Sequence, residues 1–481
     1  MGYPWFLIIV IIAFIALSLW VGLYIILNFQ HPEDKHSGWF PKIIGVLAFT
    51  FSTMNVLMLS LDSINRSSNN GLNMEIMCLI FTIGSVVVGF ILIPFTIFYF
   101  ERKIDEDTKH PISCAIGATI AFFLLLVIVF IIFYFAVAYC EVSIEVQTTQ
   151  LTSSYPVLEC PECKMSKATW QISPSFLSFL LCTIGFFGYL FLILFGGPGF
   201  VTLPINFLMT FINRPRAIDA KTYVRATQAL NGWATELEHE GQILRESVLA
   251  KGRNHKTVAP KLILFDKNVE ALEETYKTVE IMYRVKGGNP IWPWCCLILG
   301  ILSIIISLLW IIHIIIFYLA DVYPFLNKFF TILDDAFPYA AVLFFGLFTF
   351  YLYLCVLSGV TTIGVNFLCF RLHPMVREGT PLTSILFNAD IILIASFGVA
   401  LFSTMNFPIY TRLTALDMLY GVQVQTMKGL KYVWEYGVYV MFATLLIALV
   451  WRLCTCKKKD RRLQILNECF SNRSDVQHIN P

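Results

Sequence analysis

PSFLSFLLCTIGFFGYLFLILFGGPGFVTLPINF, residues 174–207, runs for 34 positions without a charged side chain. A helix rises about 1.5 Å per residue and the hydrocarbon layer of a bilayer is about 30 Å thick, so roughly 20 apolar residues cross it. The uncharged run extends over 173–213, which is too long for one simple crossing. Gly196, Gly197, Pro198 and Gly199 stand in its middle and Pro204 lies just beyond. This pattern reads as a membrane helix broken at the Gly/Pro cluster, where the freed backbone groups have to be satisfied by protein or by a wet cavity.

Eight further windows of the same kind flank it, at 5–27, 42–61, 74–100, 112–139, 294–319, 337–365, 384–407 and 433–451. The composition agrees: 57% of the 481 residues are apolar, 43 are Phe, only 14% are charged, and mean hydropathy is +0.71. Soluble domains run nearer 45–50% apolar and a quarter charged. A cytosolic enzyme, a disordered chain and a nucleic-acid binder are thereby excluded. The expected fold is an all-α polytopic membrane protein with about nine transmembrane helices and a helical hairpin outside the bilayer. No basic residue precedes Lys35, so the charged start of a cleavable signal peptide is missing and the first span is expected to be retained.

Orientation follows from the basic residues, which concentrate in short loops held in the cytosol. Of 34 Lys and Arg, 27 fall in loops one, three, five and seven and the C-terminal tail, and 7 in the remaining loops. The N-terminus is expected outside or luminal and the C-terminus cytosolic. The resulting division is a five-span membrane region (1–212), a cytosolic loop (213–290), a four-span membrane region (291–451) and a basic tail (452–481).

Only the 213–290 loop is long enough to form a domain in water. Tyr223, Ala226, Leu230, Trp233, Leu237, Leu244 and Val248 follow three-four spacing, as do Leu262, Phe265, Val269, Leu272, Tyr276, Val279 and Tyr283. Joined by KGRNHKT (251–257), these seams predict an antiparallel hairpin of coiled-coil character. A pair of amphipathic helices along the membrane is the alternative. Residues 276–279 also fit a tyrosine sorting pattern, although the seam places Tyr276 in the packing. The tail carries CKKKDRR (456–462), a stop-transfer signal that can also attract anionic membrane lipid. Cys295, Cys296, Cys454 and Cys456 lie at the same predicted interface, where palmitoylation is chemically feasible.

Ionisable residues at membrane depth are functional suspects. His313 falls in the sixth span, Asp390 in the eighth, Glu435 at the edge of the ninth; Asp62, Asn65 and Arg66 end the second, and Asp321, Asp334 and Asp335 flank the sixth loop. The structural alternatives are helix caps and interhelical hydrogen bonds. A proton or ion relay needs His313 and Asp390 to face one cavity. Cys140, Cys160 and Cys163 lie in the fourth loop, where CPEC is half of a zinc ligand set without a second pair. In an oxidising compartment Cys140 is expected to pair with one of the other two; buried reduced thiols are the alternative. HEGQI at His239 lacks the second His of a zinc-protease motif, and neither a GxSxG elbow nor a Walker loop occurs. No enzymatic activity, metal or cofactor is expected.

QHPEDKHSGWFPK (30–42), LSLDSINRS (59–67), IPFTIFYFE (93–101), LFGGPGFVTLPINFLMTFINRPRAI (194–218), WIIHIIIFYLAD (310–321), YPFLN, LDDAFP, LHPM, LFNADIIL and KGLKY occur in that order. Together they resemble the lipocalin-interacting membrane receptor (LIMR) family, also called the limb-region-1-like membrane protein family, in its plant and protist branch. The resemblance implies a multi-pass receptor or escort protein of the plasma membrane or of endosomal or lysosomal membranes. It further implies luminal loops facing a lipocalin-like or small-molecule ligand, and cytosolic protein partners at the 213–290 loop. The alternative it raises is a transporter, cobalamin-export-like or lipid-conducting, working through the broken fifth span.

Overall fold

In the computed structural model the described residues are 4–31, 34, 38–68, 73–104, 110–148, 164–173, 175–214, 217–251, 258–285, 289, 291–320, 322–336, 340–363, 366–367, 370–371, 375, 379–411, 414–415, 427 and 430–455. A helix that is apolar all round has to be surrounded by protein or lipid, and the chain uses both solutions. The helices are α1 (Pro4–Phe29), α2 (Trp39–Ser68), α3 (Met74–Val87), α4 (Ile93–Ile104), α5 (Pro111–Val137), α6 (Phe176–Phe191), α7 (Gly197–Ile212), α8 (Ala220–Lys251), α9 (Ala259–Arg284), α10 (Ile291–His313), α11 (Phe325–Ala336), α12 (Ala340–Thr362), α13 (Leu382–Asn406), α14 (Pro408–Thr411) and α15 (Leu430–Thr455). Three π-turns, Val88–Leu92, Ile314–Leu319 and Leu192–Gly196, join α3 to α4, extend α10, and join α6 to α7. Nine stretches among the described residues are long and apolar enough to cross a membrane, and they coincide with the nine expected windows.

The chain forms two compact units, 1–203 with 304–449 and 204–303 with 450–481. These cut the chain differently from the membrane and loop segments read from the sequence. In the first unit α13 is the central helix, packed by α2, α6 and α12. Its small residues permit this: Ala389, Ala395, Ser396, Gly398, Ala400 and Ser403 are all buried. A Cβ at Gly188 of α6 would lie 2.6 Å from the Gly398 nitrogen, so these two backbones meet directly. α5 takes the opposite course, exposing Ile112, Ile120, Leu125, Ile132 and Phe135 as a lipid-facing helix does. α11 buries Leu326, Asn327 and Phe330 and leaves Phe329 and Ile332 outward.

The fourth loop departs from the all-helical expectation. β1 (Cys140–Thr148) and β2 (Lys164–Ile172) pair antiparallel, from Cys140 opposite Ile172 to Thr148 opposite Lys164. The alternating Val142, Ile144 and Val146 give the period-two signal of a strand.

In the second unit α8 and α9 run antiparallel. The Ile218 N–H donates to the Met282 carbonyl at 3.3 Å, and the Tyr223 and Tyr283 rings stack with centroids 4.2 Å apart. Their core is Ala226, Leu230, Trp233, Leu237, Val279 and Met282. The first seam is as read, and in the second Phe265, Val269, Leu272 and Val279 pack as read while Tyr276 is 45% exposed and Thr275 and Met282 are buried. Val279, the apolar end of the sorting pattern, is buried, so that pattern cannot be read without opening α9.

Because Met282 is fully buried there, Met282→Ala is expected to destabilise the pair by about 2–5 kcal/mol. Hydrogen exchange on the full-length protein should speed up across 220–284 and stay unchanged in the nine spans; uniform exchange everywhere would contradict this packing.

Candidate functional site

The expected break in the fifth span is instead a continuous helix with a π-turn, and Gly196, Gly197, Pro198 and Gly199 are all helical. Two prolines nevertheless remove backbone donors. In the π register residue 198 would donate to the Ile193 carbonyl, and Pro198 cannot. The Thr444 hydroxyl of α15 reaches that carbonyl instead, at 3.1 Å, sharing its one hydrogen with the Met441 carbonyl of its own helix at 2.8 Å. Pro204 likewise leaves the Phe200 carbonyl without its helical donor, and the Ser307 hydroxyl of α10 fills the place at 3.1 Å. The freed groups are thus satisfied by protein. The glycines allow the approach: a Cβ at Gly197 would overlap the Met441 carbonyl oxygen and Thr444 Oγ1, and one at Gly199 would overlap the Cys355 carbonyl. Thr202 and Ser358 share a hydrogen bond of 2.9 Å between the same fifth and seventh spans.

His313 is fully buried at the end of α10, stacked between Phe317 and Phe407 with centroids 5.2 and 5.1 Å away. Its Nε2 bonds the Asn406 carbonyl at 3.1 Å, which fixes the proton on that nitrogen because a carbonyl only accepts. Asn327 Nδ2 donates to the same oxygen at 3.0 Å. That carbonyl lies at the C-terminal end of α13, where helical donors have run out.

Asp62 and Asn65 do not cap the second span, since α2 continues to Ser68 and both side chains are buried. Asp62 Oδ2 accepts the Ala415 N–H at 2.7 Å, and the neighbouring Ser63 hydroxyl shares its hydrogen between the Leu59 carbonyl at 3.0 Å and the Tyr410 carbonyl at 3.2 Å. The end of α2 thereby holds the segment that follows α13. Burial, reinforced by the Asp334 and Asp335 carboxylates, keeps the Tyr410 hydroxyl above the usual tyrosine range.

Asp390 stands apart, with Oδ1 buried and without a hydrogen-bond partner. It lies 16 positions before Asn406 on α13, roughly 24 Å along the axis, so His313 and Asp390 do not meet in one cavity. Two features escaped the sequence reading. Asn55 Nδ2 donates to Ser85 Oγ at 2.9 Å and to Ser396 Oγ at 3.1 Å, tying α2, α3 and α13. An apolar groove of about 400 Å³ opens between the fifth and ninth spans, lined by Ile193, Leu194, Tyr432, Tyr436 and Val440.

Cys140 begins β1, while Cys160, Cys163, Cys456, Asp321 and the tail from 456 lie outside the described residues. Of the interfacial thiols, Cys295 and Cys454 are exposed and Cys296 is buried. No group of three or more His, Cys, Asp or Glu able to hold a metal ion occurs among the described residues.

The profile of the family described as LMBR1-like membrane protein matches residues 6–260 and 264–451. A LIMR family protein of Dictyostelium discoideum is 30% identical, the match covering 96% of this chain and 99% of that protein. A LIMR family protein of Arabidopsis thaliana is 29% identical over 95% and 98% of the two chains. One of Oryza sativa subsp. japonica is 28% identical over 88% and 90%. No solved structure matches the chain.

Gly199→Ala forces a methyl into the Cys355 carbonyl and is expected to cost about 3 kcal/mol in overpacking. Asp62→Ala should cost about 2 kcal/mol by orphaning the Ala415 N–H, with Asp62→Asn milder because it keeps an acceptor. Thermal melting of the detergent-solubilised protein, followed by size exclusion, reads both. Unchanged melting of Gly199→Ala would refute the close helix contact.

Proposed function

The chain belongs to the LMBR1-like membrane protein family, and from that premise we propose that it is a multi-pass membrane receptor or escort protein without enzymatic activity. The observation that supports this reading is the α8–α9 pair, a long two-helix body with its own buried core and an outward surface rich in charge. Its seam uses Trp233 and Met282 inward and leaves Lys221, Arg225, Glu238, Glu246, Glu270 and Glu273 among the outward positions. Such a face suits reversible protein contacts better than burial in lipid.

In this reading the N-terminus and the β1–β2 hairpin are luminal, and the α8–α9 pair and the basic tail are cytosolic, with trafficking or signalling proteins as partners of the pair. The ligand side is luminal and takes a lipocalin-like or small-molecule ligand; the membrane is the plasma membrane or that of endosomes or lysosomes. Transport is the weaker reading. It rested on half-helix ends left open in the fifth span, and the carbonyls concerned are bonded to Thr444 and Ser307.

The test exploits the meeting of the two ends of the pair at Tyr223 and Tyr283. Excising 224–282 and joining the ends through a short linker should leave membrane insertion intact and abolish the proximity-labelling partners of the full-length protein. An unchanged partner set would sink the role given to α8–α9.

A further inference from the structure

Asp62 and His313, buried at the span ends, each have a named partner, an N–H for the carboxylate and a carbonyl for the imidazole. Asp390 Oδ1, like His313 Nδ1, is buried without a hydrogen-bond partner, but it belongs to an acid within a span. Buried polar atoms are nearly always satisfied, and an acid within a span that is left without a donor or cation calls for a role.

What faces that oxygen is a second irregularity. The third span passes Asp390 as the π-turn Val88–Leu92, and a Cβ placed on Gly89 would stand 3.0 Å from Oδ1. The carboxyl therefore looks onto a stretch of backbone without a side chain, within a helix whose hydrogen-bond register is shifted. π-turns of this kind concentrate at functional positions.

Gly45 lies against Leu386, and Asn55 bonds Ser396, a constant offset that puts Phe49 of α2 level with Asp390. On α2 the nearest titratable groups are Lys42, seven positions or on the order of 10 Å away, and Asp62. The third span carries none between Cys78 and Tyr99, the fifth none between Tyr189 and Arg214, and α12 brings Tyr351, Tyr353 and Cys355. The π-turn after α10 and α14, with Tyr318 and Tyr410, meet α13 at its far end. None of these groups bonds Oδ1.

We propose that Asp390, set against the π-turn at Gly89, is an intramembrane proton-binding site. Among the described residues Asp390 belongs to no group of three or more His, Cys, Asp or Glu, and one carboxyl alone is too poor a donor set for a metal ion, whereas a proton needs only the one oxygen. The site links proton occupancy to the contact between the third and eighth spans. It stands independently of the receptor reading, because a proton exchanged here serves a pH-sensing receptor and a proton-coupled carrier equally.

Dicyclohexylcarbodiimide tests this on the full-length protein in liposomes. The apolar reagent adds only to a protonated carboxylic acid, whose proton passes to a carbodiimide nitrogen, and the O-acylisourea rearranges to a stable N-acylurea. Peptide mass mapping should find the adduct on Asp390 in the wild type, with a yield that falls more than tenfold from acid to alkaline pH. Gly89→Ala, which sets a methyl over Oδ1, should slow labelling severalfold, and Asp390→Asn should remove that adduct alone. Absent labelling, labelling indifferent to pH, or labelling slowed by sodium at fixed pH would each overturn the proposal.

Discussion

A carbonyl that loses its helical donor inside a bilayer finds no water to replace it, so each proline in a span obliges some other residue to supply a proton. Much of the first unit follows from that obligation. The Ile193 carbonyl, released by Pro198, draws in Thr444 of the ninth span, and the Phe200 carbonyl, released by Pro204, draws in Ser307 of the sixth. At the end of α13 the Asn406 carbonyl takes both His313 and Asn327. Three bonding points therefore fasten the fifth, sixth, eighth and ninth spans. A hydroxyl reaches a helix backbone only if the two helices nearly touch, and this is the place of Gly197 beside Thr444 and of Gly199 beside Cys355.

The number of spans was legible in the sequence because length and charge are local quantities, and each of the nine windows carries its own signal. What the Gly/Pro cluster does was not, since the outcome depends on a threonine 251 positions away. Asp62 was misread for the same reason: it ends the second window in sequence, but the N–H it binds is 353 positions further on. The α8–α9 core was readable except for its last turns, where three-four spacing leaves a choice of one position and tertiary contact selected Thr275 and Met282 over Tyr276. The β1–β2 pairing is present as alternation, a period that apolar content summed over a span does not register.

The buried ionisable residues sort by what surrounds them. His313 is held by two parallel rings and a carbonyl, and serves as a rivet between α10 and α13. Asp62 is a rivet of the same kind between α2 and the segment after α14. Asp390 has no such bond at Oδ1, which faces the bare backbone at Gly89. Family membership is shared with proteins of a social amoeba and of two flowering plants across nearly their full lengths. It thus speaks for the bundle as a whole.

The α8–α9 pair leaves and returns at almost one point, where Ile218 bonds Met282 and Tyr223 lies flat on Tyr283. A body anchored in this way has a free dimension. Whole turns added to or taken from both helices away from this point change the length of the pair while the Tyr223–Tyr283 stack stays the same. Length and attachment are thus separate properties of this pair.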